Sequence, residues 1–105
     1  MKYEFVAGLR SKGIDQTSES LKKFLNCTYE KRDSSYLGEY NIFSCPESVI
    51  VQYNYVEEEG EWNEPEFKSF HVLVIVGETE RPDYFRSAVE NLQINFEIIK
   101  CTQWQ

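Results

Sequence analysis

From Phe70 to Val76 every residue except His71 is apolar. The run is strand-sized, far short of the ~20 residues a membrane-spanning helix needs. A strand that is apolar on both of its alternating sides must be covered on both faces, so it belongs at the centre of a sheet. Such a strand demands neighbours on each side and a layer over the sheet, and the remainder of the chain offers both. Residues 3–9 alternate, with Tyr3, Phe5, Ala7 and Leu9 on one side and Val6 on the other. Residues 49–56 alternate again, with Val49, Val51, Tyr53 and Tyr55 sharing a face. Residues 27–32 and the aromatic-rich 36–43 read as two strands around a turn at Asp33-Ser34-Ser35, and 94–101 reads as the last. The central run itself is read as a strand over 67–76.

Two segments change period from 2 to 3.6. Leu21, Phe24 and Leu25 stripe a helix over about 17–26, with Asp15, Thr17 and Ser18 as candidate N-caps. Phe85, Ala88, Val89 and Leu92 stripe a second over about 82–92, opened by Pro82 at a position suited to the first helical residue. The order is β-α-β-β-β-β-α-β. The fold class is α+β, a two-layer sandwich in which a mostly antiparallel sheet of about six strands carries two helices on one face. This topology is similar to a ferredoxin-like unit with a hairpin added in its middle. No linker, repeat or low-complexity tract divides the chain, so residues 1–105 are read as a single domain.

The content of 41% hydrophobic and 15% aromatic residues is enough to fold a modest core. Charge limits the partners. Eleven basic residues face 18 acidic ones, for a net −7, which argues against binding nucleic-acid phosphates or an anionic membrane. No charged stretch leading into an apolar core precedes residues 2–9, so a soluble, cytoplasmic protein is expected. Cys27, Cys45 and Cys101 are odd in number and make no CxxC spacing. They are expected to be reduced, packed thiols, with neither metal nor cofactor.

The acidity is local. Residues 57–66 contain Glu57, Glu58, Glu59, Glu61, Glu64 and Glu66 and no base; they hold six of the seven net negative charges. The segment joins two strands, so it must project from an end of the sheet. Trp62 lies in its middle. A solvated loop with Trp62 tucked against the domain is the plain reading. The functional one is a negative patch for a basic partner, with Trp62 as its buried anchor. A calcium loop is a third, though the alternating Asp or Asn ligands of an EF-hand are missing.

Candidates for chemistry are few. His71 is the single histidine, and a Cys–His pair with Cys27, Cys45 or Cys101 is formally available. No phosphate-binding glycine pattern occurs. Tyr36, Tyr40, Tyr53 and Tyr55 fall on strands three and four and would give an aromatic sheet surface, suited to packing, an interface or a pocket. No catalytic residue is assigned, and the chain is read as a non-enzyme.

In size, acidity and the single Glu-rich loop, the chain resembles bacterial immunity proteins, the antitoxin partners of contact-dependent and polymorphic toxins. That resemblance implies neutralisation of a basic toxin, in particular a nuclease, whose active site the acidic loop would occlude as a phosphate surrogate. Glu57, Glu58, Glu59, Glu61, Glu64 and Glu66 would carry the charge and Trp62 the anchor. Two other readings remain open: a phage or mobile-element inhibitor that mimics nucleic acid, and a small ligand-binding domain or enzyme using the Tyr-rich face. A domain that pairs its exposed sheet with a copy of itself is a further option.

Overall fold

A computed structural model describes every residue except Leu37 and Glu58. Eight strands and two α-helices follow one another as β1 (Lys2–Leu9), α1 (Ile14–Leu25), β2 (Tyr29–Ser34), β3 (Gly38–Ser44), β4 (Ser48–Tyr53), β5 (Tyr55–Val56), β6 (Glu61–Trp62), β7 (Val72–Thr79), α2 (Pro82–Glu90) and β8 (Phe96–Trp104), with a 3-10 turn at Pro65–Phe67. Six strands form one antiparallel sheet in the order β2-β3-β4-β7-β1-β8, and β5 and β6 pair as a separate small hairpin. With that hairpin set aside, the order is the expected β-α-β-β-β-β-α-β. Strands β1, β4, β7 and β8 with the two helices follow a ferredoxin-like order, extended beyond β4 by the β2–β3 hairpin.

Strand β7 lies where its apolar run requires, between β4 and β1. Its register sets Val72, Val74 and Val76 beside Leu9, Ala7 and Phe5 on one side and Tyr53, Val51 and Val49 on the other. That face is roofed by both helices, through Ile14, Leu21, Leu25, Phe85, Ala88 and Val89, and the whole set packs as one core. Burying some fifteen such side chains, at roughly 1.5–3 kcal/mol for each large one, is the main force holding the two layers together. Among the described residues no helix is long and apolar enough to cross a membrane.

Helix α1 begins three residues earlier than its stripe suggested. Ile14 is buried in the first turn, and Thr17 and Ser18 continue the inward face as small hydroxyls rather than capping it. The Thr17 hydroxyl donates to the Gly13 carbonyl at 2.9 Å, and buried Asn41 on β3 donates to Ser18 Oγ at 2.8 Å. Buried hydroxyls satisfied in this way look like caps in a sequence. Strand β2 is shifted two residues later than expected, because its charged end pairs with β3 through Asp33 with Glu39 and Ser34 with Gly38. The strand read over 67–76 is Val72–Thr79, and the one read over 94–101 is Phe96–Trp104. The latter is extended by pairing Cys101 to Trp104 with Phe5 to Lys2, which no hydrophobic alternation announces.

Candidate functional site

The long strand expected over 49–56 is interrupted at Asn54, and the acidic segment takes its shape from that interruption. Asn54 is fully buried. Its amide nitrogen donates to the carbonyls of Phe67 and Phe70, both at 3.0 Å, and at longer range to that of Glu64. Its Oδ1 accepts from the Glu64 N–H at 2.8 Å. Its backbone N–H donates to the His71 carbonyl at 2.9 Å, which holds it at the end of the sheet. One side chain thus gathers both ends of the insertion, and buried polar groups satisfied this fully act as rigid clamps. Within the insertion Tyr55 faces Trp62 and Val56 faces Glu61. The Gly60 N–H closes the turn on the Val56 carbonyl at 2.8 Å with a φ of 67°, a region open to glycine without steric cost.

The insertion returns to the sheet on the side away from the helices. Phe70 lies on Gly8 of β1, where an added Cβ would come within 2.7 Å of its ring. Glycine in a central strand, otherwise a weak choice, is needed there for the close approach of the ring. Leu73, the cross-strand neighbour of Gly8, is 1% exposed. Glu64 forms an ion pair with Lys100 of β8 at 2.9 Å.

The sequence-derived site residues therefore divide. Glu57, Glu59, Glu61 and Glu66 are exposed. Glu64 is largely buried and committed to Lys100. Glu58 lies outside the described residues. Trp62 is half-buried, with its ring edge-on to Tyr55 at a centroid distance of 5.1 Å and the Lys68 ammonium 5.6 Å from its own centroid.

Two acids that sequence reasoning did not select join Glu57. Asp33 and Glu39 are cross-strand partners at the β2–β3 turn. With Glu57 they line an open cleft of about 550 Å³, walled by Tyr53, Tyr55 and His71. The His71 and Tyr53 rings meet at 5.2 Å. A smaller hollow of about 240 Å³ adjoins it, shares Asp33, Glu39 and Tyr53, and reaches Asp15 and Lys31. Lys31 pairs with Asp15 at 2.6 Å. That ammonium and the Asn41 amide hold the Asp15 carboxyl below its ordinary value. Among the described residues, Asp33, Glu39 and Glu57 form no ion pair. Directly opposed like charges on a strand pair are destabilising, so this acidity is a standing cost, reduced by solvent screening.

Three of the four tyrosines line adjoining hollows, and Tyr36 stands apart. Tyr53 and Tyr55 wall the cleft, Tyr40 lines the smaller hollow, and Tyr36 is 78% exposed at the β2–β3 turn. The thiols stand apart from the histidine. Cys27 and Cys45 lie at the β3–β4 turn, whereas His71 sits at the opposite end of β4, which spans about 17–20 Å. Burial, then contact with Cys27, pushes the Cys45 thiol up to about 12, away from nucleophilic use. Cys101 pairs with Phe5 on β1, several rungs from Leu9 and Val72. Among the described residues no group of three or more His, Cys, Asp or Glu side chains is arranged to hold a metal ion.

The arrangement is suited to attracting and holding positive charge: three unpaired carboxylates, two aromatic walls and a clamped hairpin. The chain matches no known protein-family model and no curated protein sequence.

Proposed function

We propose that the protein is an immunity protein, an antitoxin that binds a basic toxin and covers its active site. Nuclease toxins fit best, because their sites present Lys and Arg to phosphate and would accept carboxylates instead. The observation that carries this reading is the convergence of Glu57, Asp33 and Glu39 on one cleft, none of them in an ion pair among the described residues. Exposed Glu59 and Glu61 continue the negative surface along the hairpin, and the Asn54 clamp presents it with little ordering cost on binding. Trp62, half-buried against Tyr55, offers an aromatic anchor beside it.

The direct test mixes basic nuclease toxin domains with the protein at increasing molar ratio while toxin activity is followed. Stoichiometric inhibition, lost when Asp33, Glu39 and Glu57 are replaced by their amides, is the expected result. Full inhibition by the amide variant would overturn the proposed site.

The tyrosine walls favour a second reading, in which the cleft holds a small organic cation between Tyr53, Tyr55 and the carboxylates. Calorimetry with quaternary and guanidinium compounds separates the two: saturable binding of a small cation supports this reading, and none supports the protein partner.

A further inference from the structure

The sheet has two edges, and they are built differently. At one edge β2 carries four consecutive charged residues, Glu30 to Asp33. Three of them are tied into ion pairs, Lys31 with Asp15 and Arg32 with Glu30. Charges placed this way discourage another strand from pairing there. At the other edge β8 is exposed from Lys100 to Trp104, and Cys101, Thr102, Gln103 and Trp104 carry no charge. Its inner side pairs with β1 throughout; its outer side pairs with no strand of the sheet. An extended, uncharged row of free backbone donors and acceptors is a template for a further strand.

We propose that the outer edge of β8 pairs with β8 of a second copy, antiparallel about a two-fold axis through Thr102, to give a continuous twelve-stranded sheet. Pairing with β1 sets Lys100, Thr102 and Trp104 on one face, opposite Val6, Glu4 and Lys2. A two-fold axis normal to the sheet keeps faces together. Centred on Thr102, it opposes Thr102 to itself, Cys101 to Gln103 of the second copy, and Lys100 to Trp104 of the second copy. The result is a threonine pair flanked on each side by Lys100, held by Glu64 of its own chain, beside the Trp104 ring of the other copy. Centring on Lys100 would oppose two ammonium groups.

Charge placement selects a second copy as the occupant. A chain of net −7 can meet itself only where its charge is balanced, and β8 holds one acid, Glu97, and one base, Lys100. Two of the cleft's acids, Asp33 and Glu39, lie on β2 and β3, four to five strand spacings or about 19–24 Å away. In the dimer the two clefts are separated by many times the ~8 Å screening length at physiological salt. Both remain open at the outer ends of the assembly.

Sedimentation equilibrium of the whole chain, from micromolar to millimolar concentration, tests this. The mass should rise from 12.4 kDa toward twice that value. Thr102→Lys, an exposed change that sets two like charges across the axis, should hold it at the single-chain value with its melting temperature at low concentration unchanged. Mild oxidation gives an independent check. Thr102→Cys in a Cys101→Ser background should form a disulfide-linked dimer, and Arg32→Cys in the same background, on the opposite edge, should not. A wild-type chain that stays monomeric at every concentration, a dimer that survives Thr102→Lys, or equal cross-linking from both edges would each overturn the proposal.

Discussion

The two ends of the sheet handle charge in opposite ways. At the β3–β4 turn, Glu47 accepts from Arg81 Nε at 2.9 Å and from the Thr79 hydroxyl at 2.8 Å, and Arg81 also donates to the Cys45 carbonyl at 2.7 Å. The guanidinium lies over the Tyr84 ring, 4.5 Å from its centroid. Its hydrogen bonds draw the Glu47 carboxyl down to about 2. Here the Glu47 and Arg81 charges are matched, shielded and given over to stability. At the other end Asp33, Glu39 and Glu57 line a cleft and form no ion pair among the described residues, since the adjoining Lys31 is committed to Asp15. Carboxylates fixed side by side in a folded protein raise its free energy and also raise its affinity for a positive surface. The matched end is explained by folding alone; the acidic end is the one to which the proposed function assigns a partner.

The largest expected effect comes from breaking the unmatched end at its clamp. Asn54→Ala leaves the Glu64 N–H and two carbonyls without their buried partner and should cost about 3 kcal/mol in chemical unfolding. Hydrogen exchange should speed up in residues 55–70 and stay slow around Glu47. Uniform loss of protection at both ends would show that the clamp is not local.

Next is the matched end. A carboxyl whose folded pKa lies below its unfolded value stabilises the fold above the unfolded value and loses that contribution as pH falls toward the folded one. For Glu47 the window runs from about 4.5 down to about 2. Its side chain is 11% exposed, and with allowance for water at the rim the loss should be on the order of 2 kcal/mol. Arg81→Ala should remove this acid-sensitive step; an identical pH profile in the variant would assign the step to another group.

A smaller effect is expected at Trp62. Its half-burial and edge-on contact with Tyr55 give Trp62→Ala a cost of about 1 kcal/mol, read from the melting temperature. A loss several times larger would make the ring part of the core.

How far the sequence could be read follows from the same contrast. Strand β7 and helix α2 were legible because their apolar spacing answers only to the core. The two-layer fold and the element order along the chain followed from them; the order of the strands across the sheet did not. Asn54 was not legible: it sits in an unbroken strand pattern, and its role comes from carbonyls 10 to 16 residues away. The hairpin acids were visible as a charge run. Asp33 and Glu39 were not, since only the β2–β3 pairing and the returning hairpin bring them to Glu57. Glu64, equal to its neighbours in sequence, is set apart by Lys100 of β8.

The most direct measurement compares the wild-type chain with the Asp33→Asn, Glu39→Gln, Glu57→Gln variant for stability and for association rate with a basic nuclease toxin, the partner class proposed above, across salt. Removing unpaired surface charge should leave stability within about 0.5 kcal/mol of wild type, or raise it. The wild-type rate should fall by about tenfold or more between low and high salt, and the variant should begin slow and change little. A variant that associates as fast as wild type at low salt, or that unfolds far more easily, would contradict the view that these carboxylates serve a partner rather than the fold.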